Sequence, residues 1–441
     1  MNRHRTPRRT FLKQTSLLSA SAIAAPYIIP SSALGLDGAV APSERIVMGA
    51  IGTGGMGKAD MNKMMEFPEV QMVAVCDVDR AHRDQARDIV NQKYGNQDCA
   101  AYNDFRELLA RSDIDAVTVT TPDHWHALCS IAAARAGKDV YCEKPLANSV
   151  GEGRAIVQAV QANNRILQTG SHERSGDNAR FACELVRNGR IGKLHTVRVN
   201  LPCEEEHHRK ARALMTVPPE QPVPEGFDYD FWLGHTPSAP YCPERCHFWW
   251  RFNLAYGGGE MTDRGAHVID LAQLGMGTDD TGPVEITARG VRNAQSLYNV
   301  FWDFEFENVY ANGVRMIGSS QGPRGVKFEG TEGWIFIHVH GGKLEAEPEN
   351  LLTSKIGPDE LHLGRSPGHQ RNFIECVLSR QQPVAPAEVG HRTGSVCHLN
   401  NIAMLVGRTL RWDPNAERIL DDPEAEKLLT PRMRSPWSLE G

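Results

Sequence analysis

The stretch GGGEMTDRGAHVID, from Gly257 to Asp270, gathers residue types that do acid–base and metal chemistry. Asp263, His267 and Asp270 follow one another at intervals of four and three residues. On a helix those intervals put all three on one face. Such a face could ligate a metal, hold an acid–histidine pair, or be a capped helix with a histidine in the core.

A second constellation lies near the start of the chain. Gly52, Gly54 and Gly57 form G-x-G-x-x-G, with Gly55 and Met56 inside the loop and Asp77 twenty residues after the last glycine. The first glycine permits a tight turn, the second admits a pyrophosphate, and the third lets helix and strand approach. A helix N-terminus favours phosphate charge. An acid at the end of the next strand would bind the adenosine ribose hydroxyls and repel a 2′-phosphate. The pattern therefore predicts NAD, with NADP the lesser choice; Arg80 is the residue that could favour NADP. Two later segments carry further chemistry. TTPDHWHA (120–127) offers Thr121, Pro122, His124 and His126 near the cofactor. CEKP (142–145) offers Glu143 and Lys144. Burial beside an oxidised nicotinamide would lower the pKa of Lys144 and let it share a proton with a substrate hydroxyl. From that segment alone, a surface lysine before a proline is the better reading.

These residues need elements to position them. Apolar runs at 45–51, 69–79, 116–120, 139–142 and 165–170 alternate with helical segments, which predicts a doubly wound parallel sheet. Beyond residue 170 the strand-like runs lack intervening helices, so a second, mostly antiparallel sheet is expected. A Pro-rich insertion (202–246) interrupts it. The fold class is α/β. The chain divides into a signal and linker (1–40), a Rossmann domain (41–170), a second α/β domain (171–410) and a C-terminal tail (411–441).

Composition narrows the partners. The formal charge over 441 residues is −6, although the first 33 residues carry five basic side chains and no acid. An acidic body excludes nucleic acid as a natural partner. PRRTFLKQ followed by LLSASAIAAPYII resembles a twin-arginine export signal, which predicts a periplasmic or otherwise exported protein that uses that machinery. Ten cysteines raise the question of disulfides. Cys76 and Cys142 fit small buried thiols. Cys242 and Cys246 could form a disulfide or half a zinc site. Glu204–Glu206 with His207 and His208 reads as a solvated loop.

Taken in order, the glycine turn, Asp77, TPDHWHA, AGKDVYCEKP and GGGEMTDRGAHVID resemble the Gfo/Idh/MocA oxidoreductases over roughly residues 45–410. The resemblance implies a Rossmann domain followed by a domain with a large open sheet that bears a dimer or tetramer interface. It implies substrates that are sugars, inositols or other polyols. Lys144, Asp263 and His267 match the family's catalytic positions, and Glu143 its acid at the nicotinamide end. A cis Lys144–Pro145 bond is also implied. His267 then reads as general base, Asp263 as the acid that orients it, and Lys144 as the anchor of the substrate oxygen. No metal is expected, because the Asp263–His267–Asp270 face offers only one nitrogen, and Asp270 reads as structural. Trp250, Arg251 and Tyr256, with Trp249, suit sugar stacking and hydrogen bonding, or equally packing; Arg174 completes the substrate set. Gly257–Gly259 would let backbone approach the substrate. The expected activity is NAD(P)-dependent oxidation of a CH–OH group. The alternative is an NAD-dependent glycosidase or lyase that oxidises, eliminates and reduces with a tightly held, recycled cofactor.

Overall fold

The computed structural model describes residues 44–440. The expected export signal lies outside the described residues.

The first sheet follows directly from the apolar runs. β1 (Ile46–Ile51), β2 (Val70–Cys76), β3 (Ala100–Tyr102), β4 (Ala116–Val119), β5 (Asp139–Cys142) and β6 (Leu167–Thr169) pair in the order 3-2-1-4-5-6, all parallel. This is the dinucleotide-fold order, with ligands expected at the carboxyl ends of the strands where the order reverses. Between the strands run α1 (Gly55–Met64), α2 (Arg80–Tyr94), α3 (Phe105–Leu109), α4 (Asp123–Arg135) and α5 (Val150–Ala162). Local capping chemistry sets several starts. Asp79 accepts from Ala81 N–H ahead of α2, Asp104 from Arg106 N–H ahead of α3, and Ser149 from Glu152 N–H ahead of α5. β3 had no pattern to announce it: AAY is a three-residue edge strand.

After α6 (Asp177–Arg187) the chain enters the second sheet. It comprises β7 (Leu194–Asn200), β8 (Glu285–Val291), β9 (Asp303–Val309), β10 (Arg315–Ser319), β11 (Gly325–Gly330), β12 (Trp334–His338), β13 (Leu344–Glu347), β14 (Leu410–Asp413) and β15 (Arg418–Leu420). These strands lie in the order 13-12-11-7-10-9-8-14-15. Only β7 and β10 pair in parallel; the remaining pairs are antiparallel. β8 and β9 alternate buried and exposed residues, as a one-faced sheet requires. The insertion forms α7 (Glu206–Ala213) and α8 (Tyr229–Leu233). The covered face packs on α10 (Gly265–Met276), which follows a single turn, α9 (Glu260–Asp263). α11 (His369–Ser379) and α12 (Ala387–Val406) complete the helices discussed below.

Two segments cross the expected boundaries. Phe373, Ile374, Cys376 and Val377 of α11 join the core beneath the first sheet. The segment expected as a tail supplies β14 and β15, and its end docks on α4, with Trp437 edge-on to Trp125 at 4.9 Å. The second correction has a simple cause. The apolar residues there, such as Leu410, Trp412 and Ile419, are too few for a visible period yet enough to be buried.

Arg174, just beyond β6, ties the two sheets together. Its Nε donates to Asp270 Oδ2 of α10 at 2.6 Å, and Nη1 and Nη2 donate to Asp279 at 2.9 and 2.7 Å. Arg174 and Asp270 side chains are 3% and 0% exposed. Removing one partner of a buried pair strands the other charge, which costs roughly 3–5 kcal/mol. Arg174→Ala is expected to lower the unfolding free energy by that amount, read as a lower urea midpoint at unchanged m-value. An Arg174→Ala protein of undiminished stability would remove Arg174 from this structural role.

Candidate active site

The carboxyl ends of the first-sheet strands open onto a cleft of about 440 Å³. Every residue assigned to the cofactor from sequence lines it: Gly52, Gly54, Gly55, Met56, Gly57, Asp77, Thr121, Pro122, His126, Glu143 and Lys144. Gly52 turns at φ 81°, and a Cβ on Gly57 would lie 2.0 Å from Gly52 O, so neither position accepts a side chain. A Cβ on Gly54 or Gly55 would instead meet nothing within 4 Å. That open cradle sits at the start of α1, where Gly54 provides no side-chain cap and the first turn has no acid. The free N–H groups there suit a pyrophosphate. Asp77 is fixed by the loop it faces. Its Oδ2 accepts Thr53 N–H at 2.7 Å, and its Oδ1 accepts Asp79 N–H at 2.9 Å. Lone pairs remain for ribose hydroxyls. The residues present therefore fit a dinucleotide. Arg80 is engaged elsewhere: its Nη2 donates to Glu225 at 3.1 Å, and its guanidinium packs on Gly226.

His124 and His126 part company. The two ring nitrogens of His126 face the carbonyls of Pro145 (2.7 Å) and Thr121 (3.0 Å), so this ring clasps two strand-end loops. His124 lies outside the cleft lining, is fully buried, and contacts the carbonyl of Trp232 at 2.9 Å. Burial pushes its pKa down to about 3, as a core imidazole requires.

The catalytic pair expected within GGGEMTDRGAHVID is rearranged. The helix breaks at Arg264, and His267 N–H reaches back only three residues to Arg264 O. Asp263 therefore does not orient His267. Its Oδ1 accepts from Lys144 Nζ across the cleft, while Arg264 Nη1 and Arg251 Nε lie 3.5 and 3.8 Å from its Oδ2. Burial alone would raise the pKa of Asp263, but Lys144, Arg251 and Arg264 hold it far below the usual carboxylate range. The balance of charge at Lys144 is set with it. Burial does disfavour the ammonium, yet Asp263 and then Glu143 outweigh that and raise its pKa. The Lys144–Pro145 bond is cis. Glu143 is 8% exposed, and burial raises its pKa. It fits because residue 170 is glycine: a Cβ there would lie 2.3 Å from Glu143 Oε1.

His267 is buried, and burial followed by the nearby Lys144 charge holds it neutral, well below its usual pKa. Its Nδ1 has no hydrogen-bond partner. The ring lies edge-on to His172 at 4.6 Å and to His340 at 4.9 Å. Neither neighbour was visible in the sequence, since 168 residues separate them along the chain in loops without pattern.

The substrate set divides. Trp250 and Arg251 line the cleft, with the guanidinium 4.5 Å above the indole. Tyr256 does not: it is 1% exposed, and Arg245 Nη1 donates to its hydroxyl at 3.4 Å. Trp249 stacks on Tyr298 at 5.8 Å. Arg174 is consumed by Asp270 and Asp279. Gly257–Gly259 serve packing rather than substrate approach. Side chains there would strike Trp250, Thr262 and Val300 at 2.9, 2.3 and 2.9 Å.

The insertion contributes more than was read from it. Residues 226–228 pair with 78–80, so Phe227 closes over the end of β2. His207 and His208 are not in a solvated loop. They begin α7, and His208, fully buried, meets Glu260 Oε1 at 2.6 Å. Cys242 and Cys246 are free buried thiols, and among the described residues neither joins a cluster able to hold an ion. Asp123 was also missed. It is a buried acid at the start of α4 in the cleft wall, and burial raises its pKa well above the usual range.

Comparisons with known proteins agree with this layout. A family model described as "Oxidoreductase family, NAD-binding Rossmann fold" matches residues 46–171. A second, "Oxidoreductase family, C-terminal alpha/beta domain", matches residues 183–439. The chain is similar to an alpha-N-acetylgalactosaminidase of Shewanella oneidensis, 31% identical over 205 residues, or 43% of this chain and 45% of that protein. It spans about half the length of the curated relatives it matches. Among solved structures it resembles the aldose-aldose oxidoreductase of Caulobacter crescentus complexed with glycerol. There the TM-score is 0.60 and the identity 21%, covering 83% of this chain and 99% of that one. It also resembles the scyllo-inositol dehydrogenase of Lactobacillus casei with bound NAD(H) and scyllo-inositol. That match has a TM-score of 0.58 and 18% identity, over 83% of this chain and 99% of that one. At these identities the solved structures show the fold.

The Lys144–Asp263 pair yields a pH test. Asp263 is the larger of the two charges that raise the pKa of Lys144, so Asp263→Asn leaves burial opposed by Glu143 alone and the pKa falls. An opposite charge this close is worth about 1–3 pH units. The pH at which Lys144 becomes reactive to an amine-directed acylating reagent, mapped by mass spectrometry, should drop by about that much. An unchanged onset would show that the pair does not govern the lysine.

Proposed function

The chain belongs to the Gfo/Idh/MocA oxidoreductase family, and on that premise we propose that it oxidises a CH–OH group of a sugar, inositol or related polyol with NAD. The carrying observation is the Lys144–Asp263 pair, set in the same cleft as the glycine cradle and Asp77. When bound, the nicotinamide accepts hydride from the carbinol carbon. Lys144, kept charged by Asp263, donates a hydrogen bond to the substrate oxygen and steadies negative charge on it. His267, neutral and with an unpartnered ring nitrogen, is the group to which the hydroxyl proton is directed. Trp250 and Arg251 receive the sugar ring.

NAD rather than NADP is supported by Asp77, fixed at the end of β2 by Thr53 N–H. Phe227 and the 226–228 segment close the adenosine end, which supports a tightly held cofactor. The paired arginines near the N-terminus support export, where free NAD is scarce and a retained cofactor is useful. A homo-oligomer through the open face of the second sheet belongs to the same reading.

A second reading has its own support. Similarity to an alpha-N-acetylgalactosaminidase favours a redox-neutral cycle in which a glycoside is oxidised, undergoes elimination, and is reduced again. The two readings separate in one assay. Purified protein is tested for released NAD(H), then mixed with a polyol panel and with nitrophenyl glycosides. Net NADH from a polyol supports oxidation; nitrophenol release without net NADH supports the redox-neutral cycle. In either case Lys144→Ala and His267→Ala should each lower kcat by about 10²–10⁴-fold. Full turnover in Lys144→Ala would refute the proposed centre.

A further inference from the structure

His172 beyond β6, His267 in α10, and His340 in the turn between β12 and β13 converge beside the Lys144–Asp263 pair. Each offers one ring nitrogen, and the three nitrogens lie within 4.8 Å of one another. His267 is 3% exposed with its Nδ1 unpartnered. A buried polar atom without a partner calls for a ligand. His172 and His340 reach the solvent side and stack with centroids 5.8 Å apart.

The outer surroundings are built as well. Glu173 Oε1 accepts the backbone N–H of His340 at 3.1 Å and lies 3.5 Å from His172 Nε2, so one carboxylate holds the His340 backbone and orients the His172 ring. A carboxylate behind an imidazole, as at His172, is a usual support of a histidine-ligated metal. His340 itself sits at φ 64°, a conformation uncommon for residues other than glycine. The neighbouring cations are already paired. Lys144 is bound by Asp263, and both Arg264 and Arg324 by Glu205. Arg324 also lies 3.5 Å from His340 Nδ1 and would yield to an ion there.

We propose that His172, His267 and His340 bind one divalent transition-metal ion. Three imidazoles with positions left open are the donor set of a catalytic centre rather than a closed structural one, and zinc or cobalt suits it. Metal–nitrogen bonds of about 2.0–2.1 Å require the rings to draw together, which the two exposed histidines have room to do. The identity of the remaining ligand rests on the oxidoreductase reading: an oxygen of the sugar or polyol occupies an open position. There the ion lowers the pKa of the hydroxyl, whose proton passes to water. That transfers to the ion the task assigned above to His267 alone.

The test uses full-length protein stripped with a chelator and titrated with cobalt(II). One ion per chain by elemental analysis, with visible d–d bands, is expected. His172→Ala and His340→Ala should each weaken cobalt binding by roughly 100-fold or more, and Glu173→Gln by about 10-fold. NAD binding, read by tryptophan fluorescence, should persist in all three and shows that they fold. Absence of stoichiometric cobalt, or binding indifferent to both histidine variants, overturns the site. If cobalt fails to bind while a polyol still yields NADH, the metal inference falls and the oxidoreductase reading stands. If cobalt binds and neither polyols nor glycosides turn over, the site stands and that reading falls.

Discussion

The site depends on one buried ion pair formed between residues 119 positions apart in the chain, Lys144 and Asp263. Burying either charge alone would be costly, and burying both is repaid only when geometry and further hydrogen bonds are good. Here the supports are visible. Arg251 and Arg264 flank Asp263, and Glu143 stands behind Lys144. The pair is therefore poor as a source of stability and good as a positioning device. It fixes where the end of β5 meets the turn of α9, and so sets the cofactor-facing lysine against the second half of the cleft. Misplacing either segment would leave an uncompensated charge in a low-dielectric wall.

Much of the cleft was legible in sequence because its first half is built from local pattern. The glycine spacing, the strand-end Asp77, and the loops at Thr121–Pro122 and Glu143–Lys144 each follow a short apolar run, and a parallel sheet delivers all strand ends to one rim. The second half was legible in residue type but not in pairing. Periodicity put Asp263 beside His267, whereas a break at Arg264 turned Asp263 toward Lys144. Periodicity knows nothing of a partner 119 residues away, and a strong enough partner overrides it. The same blindness assigned Arg174 and Tyr256 to substrate. Each is of a suitable type, but each is claimed by a buried partner that only the fold supplies. His172 and His340 were invisible for the converse reason: their value arises solely from meeting His267.

Packing also reassigned the glycines. Gly54 and Gly55 face open space, as a ligand cradle should, while Gly257–Gly259 face Trp250, Thr262 and Val300. Sequence reasoning treats both runs alike, because each is a cluster of glycines next to a helix start. What separates them is whether the missing Cβ would meet protein or nothing, a three-dimensional distinction.

The insertion, finally, is wired to the Lys144–Asp263 pair and not merely laid beside it. His208 of α7 meets Glu260 at 2.6 Å, Arg264 Nη1 donates to the same Glu260 oxygen at 2.6 Å, and Arg264 stands 3.5 Å from Asp263. Charge therefore alternates from the insertion to Lys144 through Glu260, Arg264 and Asp263. In a buried chain of this kind each member is stabilised by its neighbours, and an unpaired link raises the cost for the next. Further along, the same insertion closes the far end of the cleft through Phe227. One irregular segment thus bears on both the closure of the cleft and the residues packed around Asp263. That gives a physical reason for a long, aromatic-rich loop in a fold whose strands already provide the cofactor rim.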